Sequence, residues 1–332
     1  MAKHVDSSQY GRARADRDAP TEVFAAVGSP AEARGPRGET SPPPDPPSRP
    51  PRRPSDQPPE QPRGGGAGRG AVRTVGELLI TAGLVVLLFV VYELYVTNLF
   101  SADKQNQASA ALDEEWKKER RLQTDLLDGQ AFARLYIPSF GTDYKFTIQE
   151  GVDAKTLEVG PGHYKGTARP GEPGNVGVAG HRVGKGAPFN DLDLLNSCDA
   201  IIVETAEDFF VYRVLPMQDE AAGWAEGKGT DPRCTGVTTL QDATQDGGGA
   251  YGATAGRKIV LPSRGDAVAP VPYRPEDQST PSARASLLTL TTCHPQFSDR
   301  ERLIVHSVLT KQYRKDPANP GQAPPELEGE AR

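Results

Sequence analysis

The feature that most constrains this chain is the run Leu78-Leu79-Ile80-Thr81-Ala82-Gly83-Leu84-Val85-Val86-Leu87-Leu88-Phe89-Val90-Val91-Tyr92, which has no charged side chain and almost no polar one. Continued past Glu93 through Leu94, Tyr95, Val96, Leu99 and Phe100, it reaches the length of a bilayer core. A lone segment in lipid must satisfy its own backbone hydrogen bonds, so the expectation is a transmembrane helix over 75–100. Tyr92 and Tyr95 suit an interfacial belt. A secretory signal would normally begin near the N-terminus, and a buried core helix would show polar positions at helical spacing. Arg49, Arg52, Arg53, Arg63, Arg69 and Arg73 precede the run, and Lys104 alone follows it closely. That asymmetry predicts a cytoplasmic N-terminus, with residues 101–332 outside.

Composition divides the rest. Residues 1–73 hold nearly half of the chain's 31 prolines, in runs such as Pro42-Pro43-Pro44-Asp45-Pro46-Pro47, and close near Gly64-Gly65-Gly66. With almost no apolar periodicity, this Pro/Arg-rich cytoplasmic arm is expected to be disordered. A ligand for a proline-binding domain is the functional alternative. After the apolar run, a broken apolar face (Ala108, Ala111, Leu112, Trp116, Leu122, Leu126, Leu127) predicts a helix over 106–128. It would serve within 101–129 as a helical stalk or pack on the domain beyond it. Residues 313–332, rich in Pro, Glu and Gly from Asp316 onward, are expected to be a disordered tail. The formal net charge is −6, and no basic, aromatic-interleaved patch lies beyond the run, so nucleic acid is not an expected partner.

Between 130 and 312 the texture is short apolar runs cut by Gly and Pro. They include Ala133-Arg134-Leu135-Tyr136-Ile137, Tyr144-Lys145-Phe146-Thr147-Ile148, Asn175-Val176-Gly177-Val178-Ala179-Gly180, Ile201-Ile202-Val203-Glu204, Phe209-Phe210-Val211-Tyr212-Arg213-Val214 and Lys258-Ile259-Val260-Leu261. Many short strands with turn signals between them predict a mainly β domain, a sandwich or a closed barrel. A short helix is expected over 188–195, where Phe189, Leu192 and Leu195 share a face.

Two further runs carry chemistry. Leu287-Leu288-Thr289-Leu290-Thr291-Thr292-Cys293 and Arg302-Leu303-Ile304-Val305 read as adjacent strands joined by a short loop. Neighbouring strands lie about 5 Å apart, so the Cys293 thiol and the Arg302 guanidinium can face one groove. A nearby cation favours thiolate, which makes Cys293 a candidate nucleophile; a cysteine packed as a small hydrophobe is the alternative. Thr291 and Thr292 are candidates to line the same groove. Of the five histidines, His4 lies in the arm, His294 should project to the opposite side from Cys293, and His306 sits inside a strand. His181 ends a strand between glycines and is the stronger candidate acid–base group, with His163 as a rival. Cys198, Cys234 and Cys293 show no paired metal-ligand spacing, and no phosphate-binding Gly-rich loop is present, so neither metal nor cofactor is expected.

Val178-Ala179-Gly180-His181-Arg182, Thr289-Leu290-Thr291-Thr292-Cys293 and Arg302-Leu303-Ile304-Val305 together resemble the sortases, membrane-anchored cysteine transpeptidases of Gram-positive surfaces. Gly160-Pro161-Gly162-His163-Tyr164, Pro170-Gly171-Glu172-Pro173-Gly174-Asn175, Gly186-Ala187-Pro188-Phe189 and Leu290-Thr291-Thr292-Cys293-His294-Pro295 are similar to the class E sortases of actinobacteria. The resemblance runs from about Ala131 to Leu309. It implies an eight-stranded sortase β-barrel with short helices, in which Cys293 attacks the Thr–Gly bond of a C-terminal sorting signal and His181 is the acid–base group. It implies Arg302 as the carbonyl and oxyanion holder, and as partners surface proteins bearing an LAxTG- or LPxTG-like signal and a peptidoglycan stem peptide or lipid-linked precursor amine. No cofactor is implied.

Residues 217–257 make the interval between His181 and Cys293 long, and read as a lid or a disordered insert. Cys198 and Cys234 could form a disulfide pinning this segment, which an oxidising exterior permits; two free buried thiols are the alternative. A cysteine hydrolase acting on peptides or peptidoglycan uses the same residue types and stays open, as does an inactive anchored scaffold.

Overall fold

A computed structural model describes residues 66–118, 126–242, 244–319 and 322–329. The arm expected over 1–73 therefore lies outside the described residues as far as residue 65. From there helix α1 (Gly66–Val91) carries the apolar run, and a π-helical turn over Tyr92–Val96 leads directly into α2 (Thr97–Lys118). The Val72–Val91 stretch of α1 is long and apolar enough to cross a membrane, and none of it is buried against the described residues.

Beyond α2 the chain forms β1 (Ala131–Tyr136), β2 (Lys145–Glu150), the single-turn α3 (Ala154–Leu157), β3 (Gly162–His163) and β4 (Gly174–Ala179). It continues with β5 (Ala200–Glu204), β6 (Asp208–Val214), β7 (Arg257–Val260), β8 (Ser286–His294), β9 (Glu301–Arg314) and the short α4 (Pro325–Gly329). Eight strands close a ring in the order β6-β5-β1-β2-β3-β4-β8-β9, with β9 returning to β6. Strand β9 can close it because it is long. Its residues 301–308 pair with β8, and residues 307–314 pair with β6. The fold is the eight-stranded sortase-type β-barrel expected from the resemblance, and closure leaves the ring no free edge. Strand β7 adds to β9 outside the ring, at 302–305.

Period-2 alternation builds the core. Val176 and Val178, Leu288 and Leu290, and Leu303 and Val305 point inward from three neighbouring strands onto Leu135, Ile148, Val203 and Tyr212. Phe189, Leu192 and Leu195 are fully buried, as their spacing requires, but only Leu192–Leu194 forms a 3-10 turn. Asn196 Nδ2 donates to the Leu194 carbonyl at 3.1 Å, capping the segment at once.

Helix α2 lies on the barrel. Leu112 and Ser101 are buried beneath it, Arg134 of β1 pairs with Asp113 at 2.5 Å, and Trp116 lies under the Arg134 and Lys315 cations. The 217–257 insert is folded where it is described: a disulfide joins Cys198 to Cys234, and Trp224 and Val237 pack around it. The tail differs from its compositional reading. Strand β9 runs on to Arg314, and α4 buries Glu326, which accepts from Lys311 Nζ at 2.8 Å and Tyr313 Oη at 3.2 Å. Leu327 packs, alongside Tyr136 and Tyr313, against the cluster of Ala200, Ile202, Phe209 and Val211, giving a polar segment an apolar foothold.

Candidate active site

Cys293 and Arg302 are direct cross-strand partners in the β8–β9 ladder. By alternation Thr289, Thr291 and Cys293 share one face with Arg302, Ile304 and His306, while Thr292 belongs to the other. Strand β4 runs parallel beside β8, with Ala179 opposite Thr291. Parallel neighbours end at the same level, so His181, just past the end of β4, emerges beside Cys293. The two line one cleft of about 290 Å³ together with Arg182, Val183, Phe297, Ser298 and Asp299. Cys293 is unbonded and half-buried. A larger cleft, about 540 Å³, lies between Trp116, Arg134, Glu204 and Lys315; it holds no nucleophile, and its charges are paired across it.

His181 is fixed through its backbone. The Gly180 N–H donates to the Thr291 carbonyl at 3.1 Å, Thr292 Oγ1 donates to the Gly180 carbonyl at 2.8 Å, and the Phe189 N–H donates to the His181 carbonyl at 3.0 Å. A Cβ at position 180 would lie 2.6 Å from the Phe189 ring, so the backbone can pass only as glycine. The two threonines expected to line the groove are both buried. Thr292 faces away from the thiol and holds Gly180, and the Thr291 hydroxyl is hydrogen-bonded to Tyr164 Oη at 2.9 Å. They build the site's frame rather than its open surface.

The His181 Nε2 atom is buried without a hydrogen-bond partner. Burial holds its pKa below the ordinary histidine value, the nearby Lys185 cation adds to this, and Glu158 opposes it. The ring is therefore neutral at neutral pH, and no hydrogen bond competes for its Nε2. The following loop is strained: Gly184, Lys185, Gly186 and Ala187 all have positive φ, 65°, 50°, 78° and 38°. For Lys185 and Ala187 that conformation costs about 1–2 kcal/mol each.

Arg302 braces the β8–β9 loop, donating from Nη1 to the carbonyls of Asp299 at 2.7 Å and Glu301 at 2.9 Å. Among the described residues no hydrogen bond directly joins His181, Cys293 and Arg302. Besides Thr292, the side chain of Arg182, which is 4% exposed, ties the two strand ends together. It pairs with Asp193 at 2.9 Å and donates to His294 Nδ1 at 2.8 Å and to the Cys293 carbonyl at 3.4 Å. Sequence reasoning missed this role; adjacency to His181 was its only signal. The rival His163 is buried, with Nδ1 on Glu150 at 2.6 Å and Nε2 near Thr167 and the Ala168 carbonyl. His306 is enclosed between Tyr273 and Thr289. Neither lines the cleft that holds Cys293. Among the described residues no group of three or more His, Cys, Asp or Glu could hold a metal ion.

A closed barrel that ends two parallel strands on a free cysteine and an unpartnered histidine matches the Sortase domain over residues 135–310, and the chain belongs to the sortase family, a family of cysteine transpeptidases. It is similar to Sortase SrtE1 of Streptomyces coelicolor, 30% identical over 257 residues, which are 75% of this chain and 60% of that protein. Sortase SrtE2 of the same organism is 31% identical over 164 residues, covering 46% of this chain and 64% of that one. The matches thus span under two-thirds of these curated relatives. The solved SrtF sortase from Corynebacterium diphtheriae is 42% identical with a TM-score of 0.53, and the match covers 63% of this chain and 98% of that one.

Proposed function

We propose that this protein is a membrane-anchored transpeptidase that cleaves a C-terminal sorting signal between Thr and Gly and joins the cargo to a cell-wall amine. The observation that carries the reading is the shared cleft of Cys293 and His181, inside the region that matches the sortases. Cys293 Sγ attacks the threonine carbonyl carbon as its thiol proton passes to the neutral His181 ring. The C–N bond to glycine breaks as His181 delivers a proton to the leaving amine, giving a thioacyl enzyme. The acceptor amine then attacks, surrenders its proton to His181 and expels the thiolate, which takes that proton back and restores the thiol and the neutral imidazole. Arg302 stabilises the oxyanion of both tetrahedral steps, a role whose loss costs on the order of 10²–10³-fold in rate for a single donor. Cargo surface proteins carry an LAxTG- or LPxTG-like signal, and the acceptor is an amine of a peptidoglycan stem peptide or lipid-linked precursor. The arginine cluster ahead of the apolar run supports a catalytic domain outside the cell.

Incubation with a labelled sorting peptide, with and without an amine acceptor, tests this. Ligation that depends on the acceptor supports transpeptidation. Hydrolysis indifferent to every amine offered makes the protein a surface cysteine peptidase instead.

A further inference from the structure

The strained loop after His181 is held from outside the barrel. Its Gly186 N–H donates to Asn98 Oδ1 of α2 at 3.0 Å. Ser101, one turn on and 5% exposed, sits where a Cβ on Gly186 would be 3.4 Å away. Lys185 of the same loop and Lys104 of α2 converge on Glu158, at 3.3 and 3.1 Å. Gln105 accepts from the Thr147 N–H at 2.8 Å and donates to the carbonyls of Val159 at 2.8 Å and Thr147 at 3.3 Å. The first two turns of α2 thus grip both the His181 loop and the segment leading into β3.

A run of left-handed residues persists only where its surroundings fix it. Between Gly184 and Ala187 the external fastenings are the Asn98 acceptor and the Lys185–Glu158 pair, and Glu158 is itself held by Lys104. Lys104 and Asn98 belong to the helix that continues α1 through a single π turn. The segment reaching the apolar run and the segment shaping the histidine loop are one.

We propose that Asn98 is a positioning residue for His181, and that Gln105 seats the helix so that Asn98 can act. On this view α2 is part of the catalytic unit rather than a spacer between anchor and barrel. The inference rests on the reading of His181 as the acid–base group. Asn98 touches no reacting atom; it sets the geometry in which the imidazole meets the leaving amine, and geometry of this kind governs kcat.

The test uses the full chain in detergent micelles, with a labelled sorting peptide, an amine acceptor and iodoacetamide as a separate probe of Cys293. Asn98→Ala is expected to lower kcat roughly five- to tenfold, the scale of one hydrogen bond, with KM and the alkylation rate within about twofold of wild type. Asn98→Asp, which keeps an acceptor oxygen, restores kcat, and Lys117→Ala on the exposed side of α2 leaves it unchanged. Wild-type kcat in Asn98→Ala, a fall that Asp does not restore, or a change in KM instead of kcat overturns the proposal. His181→Ala is assayed alongside. If it keeps wild-type turnover, the acid–base reading itself fails and the inference falls with it, whatever Asn98 does.

Discussion

Arg182 joins the ends of two strands that chain order keeps far apart: its Nη1 lies 2.8 Å from His294 Nδ1, one residue past the nucleophile, while its own neighbour in sequence is His181. The Asp193 carboxylate completes the clamp at 2.9 Å. Arg182→Ala is expected to lower unfolding stability by about 1.5–3 kcal/mol, the range for hydrogen bonds to charged groups. It should lower kcat roughly 10- to 100-fold, because the two catalytic backbones lose one of the ties between them. Arg182→Lys should fall between, since one ammonium cannot reach both partners as a planar fork does. Denaturant unfolding and steady-state kinetics measure the two effects.

His181 carries a depressed pKa from burial and from Lys185, against Glu158. Lys185→Gln removes one depressing influence, so the His181 titration should move up in pH; Glu158→Gln should move it down. Imidazole NMR titration reads both directly. The acidic limb of the pH–rate profile should follow in the same directions.

His306 is enclosed by the barrel wall, and burial pushes its pKa down to about 3 from the ordinary 6.5. Between those values the unfolded chain holds a proton that the folded chain excludes, so stability rises with pH across this window. Acidification from 6.5 should therefore cost up to about 1.4 kcal/mol per pH unit from this group. Melting temperatures of wild type and His306→Gln between pH 7 and 4.5 should show a shallower decline in the variant.

The Cys198–Cys234 bond closes a loop with a sequence separation of 36, for which chain entropy gives a stabilisation of about 3–4 kcal/mol. Cys198→Ser should lower the melting temperature under oxidising conditions and have little further effect under reducing ones. Thiol labelling of the denatured, unreduced chain should count one cysteine, Cys293.

The barrel was legible because its strands are apolar runs of ordinary length. Val176, Leu288 and Val305 announce the core by alternation, and Cys293 and Arg302 fall into register because both flank the same turn. Strand β3 escaped notice: two residues, Gly162 and His163, carry no period. Alternation also assigns Thr292 to the face opposite Cys293, so adjacency to the thiol misled. Arg182, Asn98 and Gln105 act through partners distant in sequence, which no local pattern encodes. The tail read as disordered from composition, yet one buried carboxylate gives it partners on β9 and Leu327 packs against the cluster on β5 and β6.

The central claim is that Cys293 carries the acyl group. Intact-mass and peptide mass spectrometry of the full chain, incubated with excess sorting peptide and no acceptor, tests it most directly. The expected result is a mass increase equal to the peptide through its threonine, located on Cys293, discharged by an added amine and absent from Cys293→Ala. An acyl group on another residue, or turnover that survives in Cys293→Ala, would contradict it.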